Sequence, residues 1–465
     1  MPHRVRAVTR KWAPLWGVAI IAAAVRLPGV YGRPFWEDEV ASARIIVQPT
    51  FLGMLHRVGQ TESTPPLWYA IAWVVHQAGV PVQSERLLSV DFGALLAAAV
   101  VELARRFVSL PLATTAGLMT ALGAEFVFHG AELRAYELVA LLSVVFGLAV
   151  LRLLERPSRR WDVVLGVTVT AGCLTHYFFA FSVVAVLAWL WLDPGARSIR
   201  RRGTIPILLG GAVAALWLPV MLTQYRQGRF RWIGPFHWRA VVAVPLRLFT
   251  YAYQQLPVGP VLSAAALLLI AVGGSHLARR SAAGRLIGVL AGLPIVAAAC
   301  AWAAGMPIFD LRNLIGVGAF VAVLTVAAID ALSPRVSWVV AAAALAALAV
   351  SLVTSNAERI PPYDVMALSL VRSGWTPAVP IVVYGDPYRY RLPFEWYLPR
   401  QPVLDMSPAV DGACTEVFVV TPAGKIRRER LRAPLSADRA LRGTTLLVDP
   451  LRRPRCVSLH HVETA

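Results

Sequence analysis

The chain has 465 residues, 57% of them hydrophobic and only 15% charged, a balance that excludes an ordinary soluble domain and points to a polytopic membrane protein. Its net charge of +19 would suggest a nucleic-acid partner in a soluble protein. Here much of that charge falls in short loops between apolar stretches, where it sets topology and meets anionic lipid head groups, so no nucleic-acid partner is expected.

Arg4, Arg6, Arg10 and Lys11 precede an apolar run that begins at Trp12. A basic start and the stretch Ala22-Ala23-Ala24 fit a signal peptide. The many apolar stretches that follow favour an uncleaved first helix with its basic end in the cytoplasm. Hydropathy and loop charge together predict about 11 spans, at roughly 12–30, 87–104, 111–128, 138–153, 161–177, 179–192, 204–222, 257–275, 286–304, 311–332 and 336–354. On this map Arg105-Arg106, Arg152 to Arg160, Arg197 to Arg202 and Arg279 to Arg285 all fall on one side of the membrane. Segments 31–86 and 223–256 and the Phe309-Asp310-Leu311-Arg312-Asn313 loop fall on the other.

After Asn356 the sequence becomes polar and Pro-rich. Residues 363–373 have helical spacing, and Ile381 to Tyr384, Val417 to Val420 and Thr444 to Val448 read as short strands. The expected fold class is mainly α. A polytopic transmembrane helical bundle, residues 1–355 with a first outer loop at 31–86, is followed by a small C-terminal extracytoplasmic α/β domain, residues 356–465. Cys414 and Cys456 would then lie in an oxidising compartment, where a disulfide is expected and two unpaired thiols are the alternative. Cys173 and Cys300 fall in spans and read as packing residues. The sequence shows neither an internal repeat nor metal-type Cys/His spacing.

The chain carries 26 acidic residues against 45 basic ones, which makes the consecutive carboxylates Glu37-Asp38-Glu39 conspicuous. Three adjacent acids beside a bilayer repel one another and resist desolvation. The stretch from Arg33 to Ala43 reads as a turn leading into a helix whose first turn holds the acids, where the helix dipole favours them. A second helix opens near Pro65-Pro66, with proline tolerated at its start, and carries Trp68, Tyr69 and Trp73, residue types suited to a lipid–water interface. Two interfacial helices would hold the carboxylates at the rim of a cavity; the alternative is capping and solvation of an exposed turn.

In order along the chain, Trp36-Glu37-Asp38-Glu39, Pro65-Pro66-Leu67-Trp68-Tyr69, Arg86-Leu87-Leu88-Ser89, Glu132-Leu133-Arg134-Ala135-Tyr136, Thr175-His176-Tyr177 and Leu311-Arg312-Asn313-Leu314 resemble the motifs of the GT-C superfamily of membrane glycosyltransferases, in particular its protein-mannosyltransferase-like and aminoarabinose-transferase-like group. Each motif is weak alone; their order and placement over about 320 residues make the case. One departure is Thr64, which stands where a His or Lys commonly precedes the two prolines. A contact to the donor phosphate would then come from elsewhere.

The resemblance implies transfer of a sugar, mannose or a pentose, from a polyprenyl-phosphate donor to an acceptor hydroxyl on the outer face by a single inverting displacement. The acceptor class, whether lipid, glycan or protein, stays open. Asp38 is the candidate base; Glu39 orients it or binds sugar hydroxyls, and Glu37 is a solvated neighbour. Arginine has the planar fork that matches phosphate oxygens, and Arg86, Arg134, Arg229, Arg231 and Arg312 are the outer-side candidates for the donor phosphate. Glu62, Glu132, Tyr136, His176 and Tyr177 are expected to contact substrate. Alternatives stand beside these roles: interfacial snorkelling for Arg229-Phe230-Arg231-Trp232, an ion pair between Glu132 and Arg134, neutralisation of Asp310 by Arg312, and a hydrogen-bonded structural role for His176. Some relatives use a divalent metal; with no ligand spacing beyond the triplet itself, no obligatory metal or other cofactor is expected. The competing reading is a transporter or flippase of lipid-linked sugars, which calls for charged or broken helices near the middle of the bilayer.

Overall fold

The computed structural model describes residues 2–228, 233–250, 257–355, 360–372, 381–383, 388–398, 415–420, 426–432 and 457–458. It divides into two units: residues 1–31 with 43–357, and residues 32–42 with 358–465.

The first unit opens with α1 (Pro2–Gly32), and the end of α2 (Glu37–Ile46), from Ala43 on, belongs to it. Two amphipathic helices follow, α3 (Phe51–Thr61) and α4 (Leu67–Gln77). Thr50 caps α3 by accepting the Gly53 N–H at 3.1 Å, and Pro66 stands at the start of α4, where a missing amide hydrogen costs nothing. Trp68 and Tyr69, expected at a lipid–water boundary, are instead buried inside the protein. The reason is polar: the Tyr69 hydroxyl is needed in the interior, as described below.

A 3-10 turn, Val82–Arg86, leads into α5 (Leu87–Ala104). The segment expected as a single span at 111–128 is broken into α6 (Leu110–Leu122) and α7 (Ala124–His129). The break falls at Gly123, whose ψ of 130° leaves the helix, and the freed Ala124 N–H is taken up by the Phe249 carbonyl at 3.0 Å. Next come α8 (Tyr136–Glu155), α9 (Arg159–Thr175), α10 (Phe179–Leu192), α11 (Arg200–Ala214) and α12 (Leu218–Arg226). The unit is completed by α13 (Trp238–Arg247), α14 (Gly259–Arg280), α15 (Ala282–Ala303), α16 (Ile315–Asp330) and α17 (Pro334–Ser355).

Eight stretches among the described residues are long and apolar enough to cross a membrane: Trp12–Gly32, Val82–Ala104, Tyr136–Glu155, Pro194–Arg226, Gly259–Arg280, Ala282–Ala303, Arg312–Asp330 and Pro334–Val353. Of the other expected spans, α6 and α10 are apolar but have only 13 and 14 residues, short of the ~20 typical of a spanning helix, and α9, with 17, stands at the lower limit. Many outward side chains, among them Leu208, Leu209, Leu268, Val339 and Val353, are apolar and exposed, as hydrocarbon contact demands. The chain is thus a multi-pass membrane protein.

The core of this unit is built around α16, which is apolar on every face and buried at 13 of its 16 residues. Small residues let its neighbours approach. A Cβ at Gly273 of α14 would lie 1.9 Å from the Leu324 carbonyl oxygen of α16, so only glycine fits there.

The second unit holds the turn into α2 together with α18 (Tyr363–Arg372), α19 (Tyr388–Tyr397) and a sheet. Strands β1 (Ile381–Val383), β2 (Thr415–Val420), β3 (Ile426–Arg432) and β4 (Val457–Ser458) lie in that order. β1 is parallel to β2, β2 antiparallel to β3 and β3 parallel to β4, with Phe418 facing both Ile381 and Arg428 in register. The strand expected at Thr444 to Val448 and the cysteines 414 and 456 lie outside the described residues. Tyr363, Met366, Ala367 and Leu370 of α18 and Phe394 and Leu398 at α19 form this unit's apolar core.

Candidate functional site

The acidic triplet forms the first turn of α2. The helix begins when the Val40 N–H reaches the Trp36 carbonyl at 2.9 Å, and carboxylates at that end meet the positive pole of the helix dipole. Glu39 is fully buried, while Glu37 and Asp38 are partly exposed. The Ser42 hydroxyl donates to the Asp38 carbonyl at 3.0 Å, fixing the turn that carries Asp38.

In the first unit, residues from four of the sequence motifs converge. Arg134 lies in the turn between α7 and α8 and is buried. Its Nη1 donates to both oxygens of Glu62, at 3.2 and 3.3 Å, and to the Tyr69 hydroxyl at 3.1 Å. Tyr69 in turn meets the Thr64 hydroxyl at 3.3 Å. The guanidinium also sits 5.9 Å from the centre of the Tyr136 ring, within cation–π range. The expected alternative, an ion pair between Glu132 and Arg134, gives way to two separate pairings: Arg134 turns to Glu62, and Glu132 to a histidine.

That histidine, His129, ends α7. Its Nδ1 lies 2.7 Å from Glu132 and its Nε2 3.4 Å from Glu125, and all three side chains are buried. Burial alone would push the imidazole pKa down, but the flanking carboxylates of Glu132 and Glu125 outweigh it and hold it up at about 9. The ring also packs on Tyr136, with centroids 4.4 Å apart, and Tyr136 leads on to His176 at 6.0 Å. Gly130 follows because the Arg26 side chain passes there: a Cβ would lie 2.1 Å from the Arg26 Nε. Arg26, itself fully buried, pairs with Glu137 at 3.6 Å and donates to the Ala22 and Ala121 carbonyls.

His176 stands in the turn between α9 and α10, and its Nδ1 accepts the Phe178 N–H at 3.3 Å. Burial, with the positive charges of Arg134 and Arg312 nearby, drives its pKa down to about 3, so the ring is neutral. Arg312 pairs with Asp310 at 3.5 Å, the neutralising arrangement foreseen as its alternative. Tyr177 donates to the Gln224 side chain at 2.5 Å and accepts from the Trp217 indole at 3.1 Å. Gln224 is buried and also donates to the Val58 carbonyl at 3.0 Å, which anchors the end of α3 just before Glu62.

Arg86 is buried, and its Nη1 donates to the Val30 carbonyl at 2.8 Å. Its motif is tied to the cluster through Ser89, whose hydroxyl reaches the Glu132 and Arg134 carbonyls at 2.6 and 3.2 Å. Glu62, Arg134, Tyr136, His176 and Arg312 therefore share one region, with Glu132 joined to it through His129. Arg229 and Arg231 lie outside the described residues. Among the described residues, no three His, Cys, Asp or Glu side chains come together in a way that could hold a metal ion.

Sequence reading missed Glu125, His129 and Gln224. The spacing of Glu125, His129 and Glu132, four and three residues apart, places all three on one helical face. The apolar run expected as a span at 111–128 takes in Glu125 and stops short of His129 and Glu132, which separates the three in a reading by hydropathy. Gln224 carries no sequence signal, since its partners lie as far as 166 residues away.

Comparison with known proteins adds a partial family match and a fold. Residues 63–222 match the family described as dolichyl-phosphate-mannose-protein mannosyltransferase. No curated protein matches the chain. The crystal structure of ArnT from Cupriavidus metallidurans in the apo state aligns over 89% of this chain and 93% of its own, at 15% identity and a TM-score of 0.55. The same protein bound to undecaprenyl phosphate aligns over the same shares at 16% identity and a TM-score of 0.52. The archaeal oligosaccharyltransferase AglB from Archaeoglobus fulgidus, in complex with an inhibitory peptide and a dolichol-phosphate, aligns over 85% of this chain and 65% of its own, at 13% identity and a TM-score of 0.51. The resemblance carried by the ordered motifs is thus borne out, and the chain has the fold of the GT-C membrane glycosyltransferases.

Proposed function

We propose that this protein is an integral membrane glycosyltransferase that moves a sugar, mannose or a pentose, from a polyprenyl-phosphate donor to an acceptor hydroxyl on the extracytoplasmic face. The observation that carries the reading is the gathering of Glu62, Arg134, Tyr136 and His176 into one buried polar cluster, in a chain whose fold is that of ArnT. The ArnT and AglB structures hold undecaprenyl phosphate and dolichol-phosphate respectively, which supports a lipid phosphate as donor. Loop charge supports a cytoplasmic N-terminus.

In this reading the Asp38 carboxylate removes the proton of the acceptor hydroxyl. The oxygen attacks the anomeric carbon, the bond from that carbon to the phosphate oxygen breaks, and the configuration inverts. The departing polyprenyl phosphate carries the new negative charge, which Arg134 and Arg312 stabilise, with Arg86, Arg229 and Arg231 as further phosphate contacts. Glu39 orients Asp38, and His176, neutral at physiological pH, offers hydrogen bonds without competing for the phosphate. A positioned base contributes roughly 10²–10⁴-fold to such a step. The phosphate charge is assigned to arginine, with no step given to a metal.

The test is transfer by purified protein with a panel of polyprenyl-phosphate sugars, run with and without a chelator. Product from at least one donor is expected in both conditions. Failure with every donor, together with measurable translocation of the lipid-linked sugar, would overturn the reading in favour of a transporter.

A further inference from the structure

Within the second unit, the turn that starts α2 is held by α19. The Phe35 N–H donates to the Tyr397 hydroxyl at 2.6 Å, across 362 residues of sequence. The Phe35 ring is buried and lies 5.9 Å from the Trp396 ring, tilted by 54°. Trp36 packs on the core formed by Tyr363, Met366, Ala367, Leu370, Phe394 and Leu398. Its carbonyl accepts the first hydrogen bond of α2, from Val40 at 2.9 Å.

These contacts act at one point. Phe35 and Trp36 are the last residues before the acidic turn, and where they are pinned sets the origin and rotation of the helix that carries Asp38. A helix whose first residues are fixed has little freedom in its first turn, and an error of ~1 Å in the placement of a reacting group can cost on the order of 10²-fold in rate. A side-chain hydroxyl supplied from α19 also gives the backbone amide of the buried Phe35, just ahead of the helix, an acceptor.

We infer that Tyr397, supported by Trp396, is a positioning residue for the acidic turn, so that the C-terminal segment of the chain sets the geometry of the candidate base. The inference rests on the reading of Asp38 as that base. It gives the C-terminal segment a part in turnover that does not depend on contact with either substrate.

The experiment compares full-length wild type, Tyr397→Phe and Asp38→Asn by hydrogen exchange and by steady-state transfer. Tyr397→Phe removes only the hydroxyl. Exchange at the Phe35 amide should speed up at least tenfold, and kcat should fall about 10- to 100-fold. KM for the donor should stay as in wild type, and the melting temperature should fall by only a few degrees, as the loss of one hydrogen bond predicts, a split that general unfolding would not produce. Unchanged exchange at Phe35 would overturn the anchoring. Faster exchange with an unchanged kcat, while Asp38→Asn is inactive, would overturn the positioning role. Full turnover in Asp38→Asn would instead sink the reading of the base, and the Phe35 exchange rate still reports the anchor by itself. Should Tyr397→Phe fold poorly, Trp396→Phe tests the same support, with a smaller loss of kcat expected and an unchanged kcat counting against it.

Discussion

Arg134 presents one guanidinium nitrogen to both carboxylate oxygens of Glu62, at 3.2 and 3.3 Å, from a position 72 residues farther along the chain. Both side chains are buried. A charge held this way is stable only while its partner is present, since removing one member of a buried pair costs on the order of 3–5 kcal/mol. Arg134→Ala should therefore lower the melting temperature in detergent, and Glu62→Ala should do likewise. A double-mutant cycle should return a coupling of about 0.5–3 kcal/mol. Additive effects would show that the pair does not hold the cluster together.

Arg134→Lys separates the fork from the charge. Lysine keeps the positive charge but cannot meet Glu62, Tyr69 and a phosphate with one planar group. Losing one charged hydrogen bond, worth about 1.5–3 kcal/mol, predicts a fall of roughly 10- to 150-fold in kcat/KM for the donor. Wild-type kinetics in this variant would remove Arg134 from phosphate recognition.

His129 gives a pH dependence of known sign. Its pKa stands at about 9 in the fold, against ~6.5 in an unfolded chain. A group raised in this way contributes stability that is fully present below pH ~6.5 and is lost as the pH rises through about 9. Thermal stability of the wild type should therefore decline between neutral pH and pH ~10, and His129→Gln should flatten that limb while lowering stability at pH 7. An alkaline limb of the same size in the variant would show that another group is responsible.

Gly273 tests the packing. Because an added methyl would meet the Leu324 carbonyl oxygen of the neighbouring helix, Gly273→Ala should force α14 and α16 apart. The expected cost is about 1–3 kcal/mol, read as a lower melting temperature. Gly274→Ala on the same helix, where nothing lies within 4 Å, should be neutral or slightly stabilising.

Much of this arrangement was legible in the sequence. Helical periodicity and loop charge placed the helices, because a membrane forces every backbone group into a helix that hydropathy can find. The acidic turn of α2 and the proline-led start of α4 were read from residue type and helix-end chemistry alone. What failed was pairing at long range. Arg134 was identified as important, but its partner Glu62 could not be chosen over the nearby Glu132, since sequence proximity says nothing about which carboxylate a turn will face. Gly123 ends α6 inside a run that stays apolar on both sides, so hydropathy gives no sign of the break that leads to the buried histidine. Tyr397 was invisible for the same reason as Glu62: its partner is a backbone amide, which has no signature in sequence.

In the proposed mechanism the acidic turn of α2 carries the base. Its most direct measurement is turnover of purified Asp38→Asn with the donor that the wild type accepts, in protein shown by its melting temperature to be folded. A loss of roughly 10²–10⁴-fold in kcat is expected, with donor binding retained. Turnover within a few-fold of wild type would contradict it.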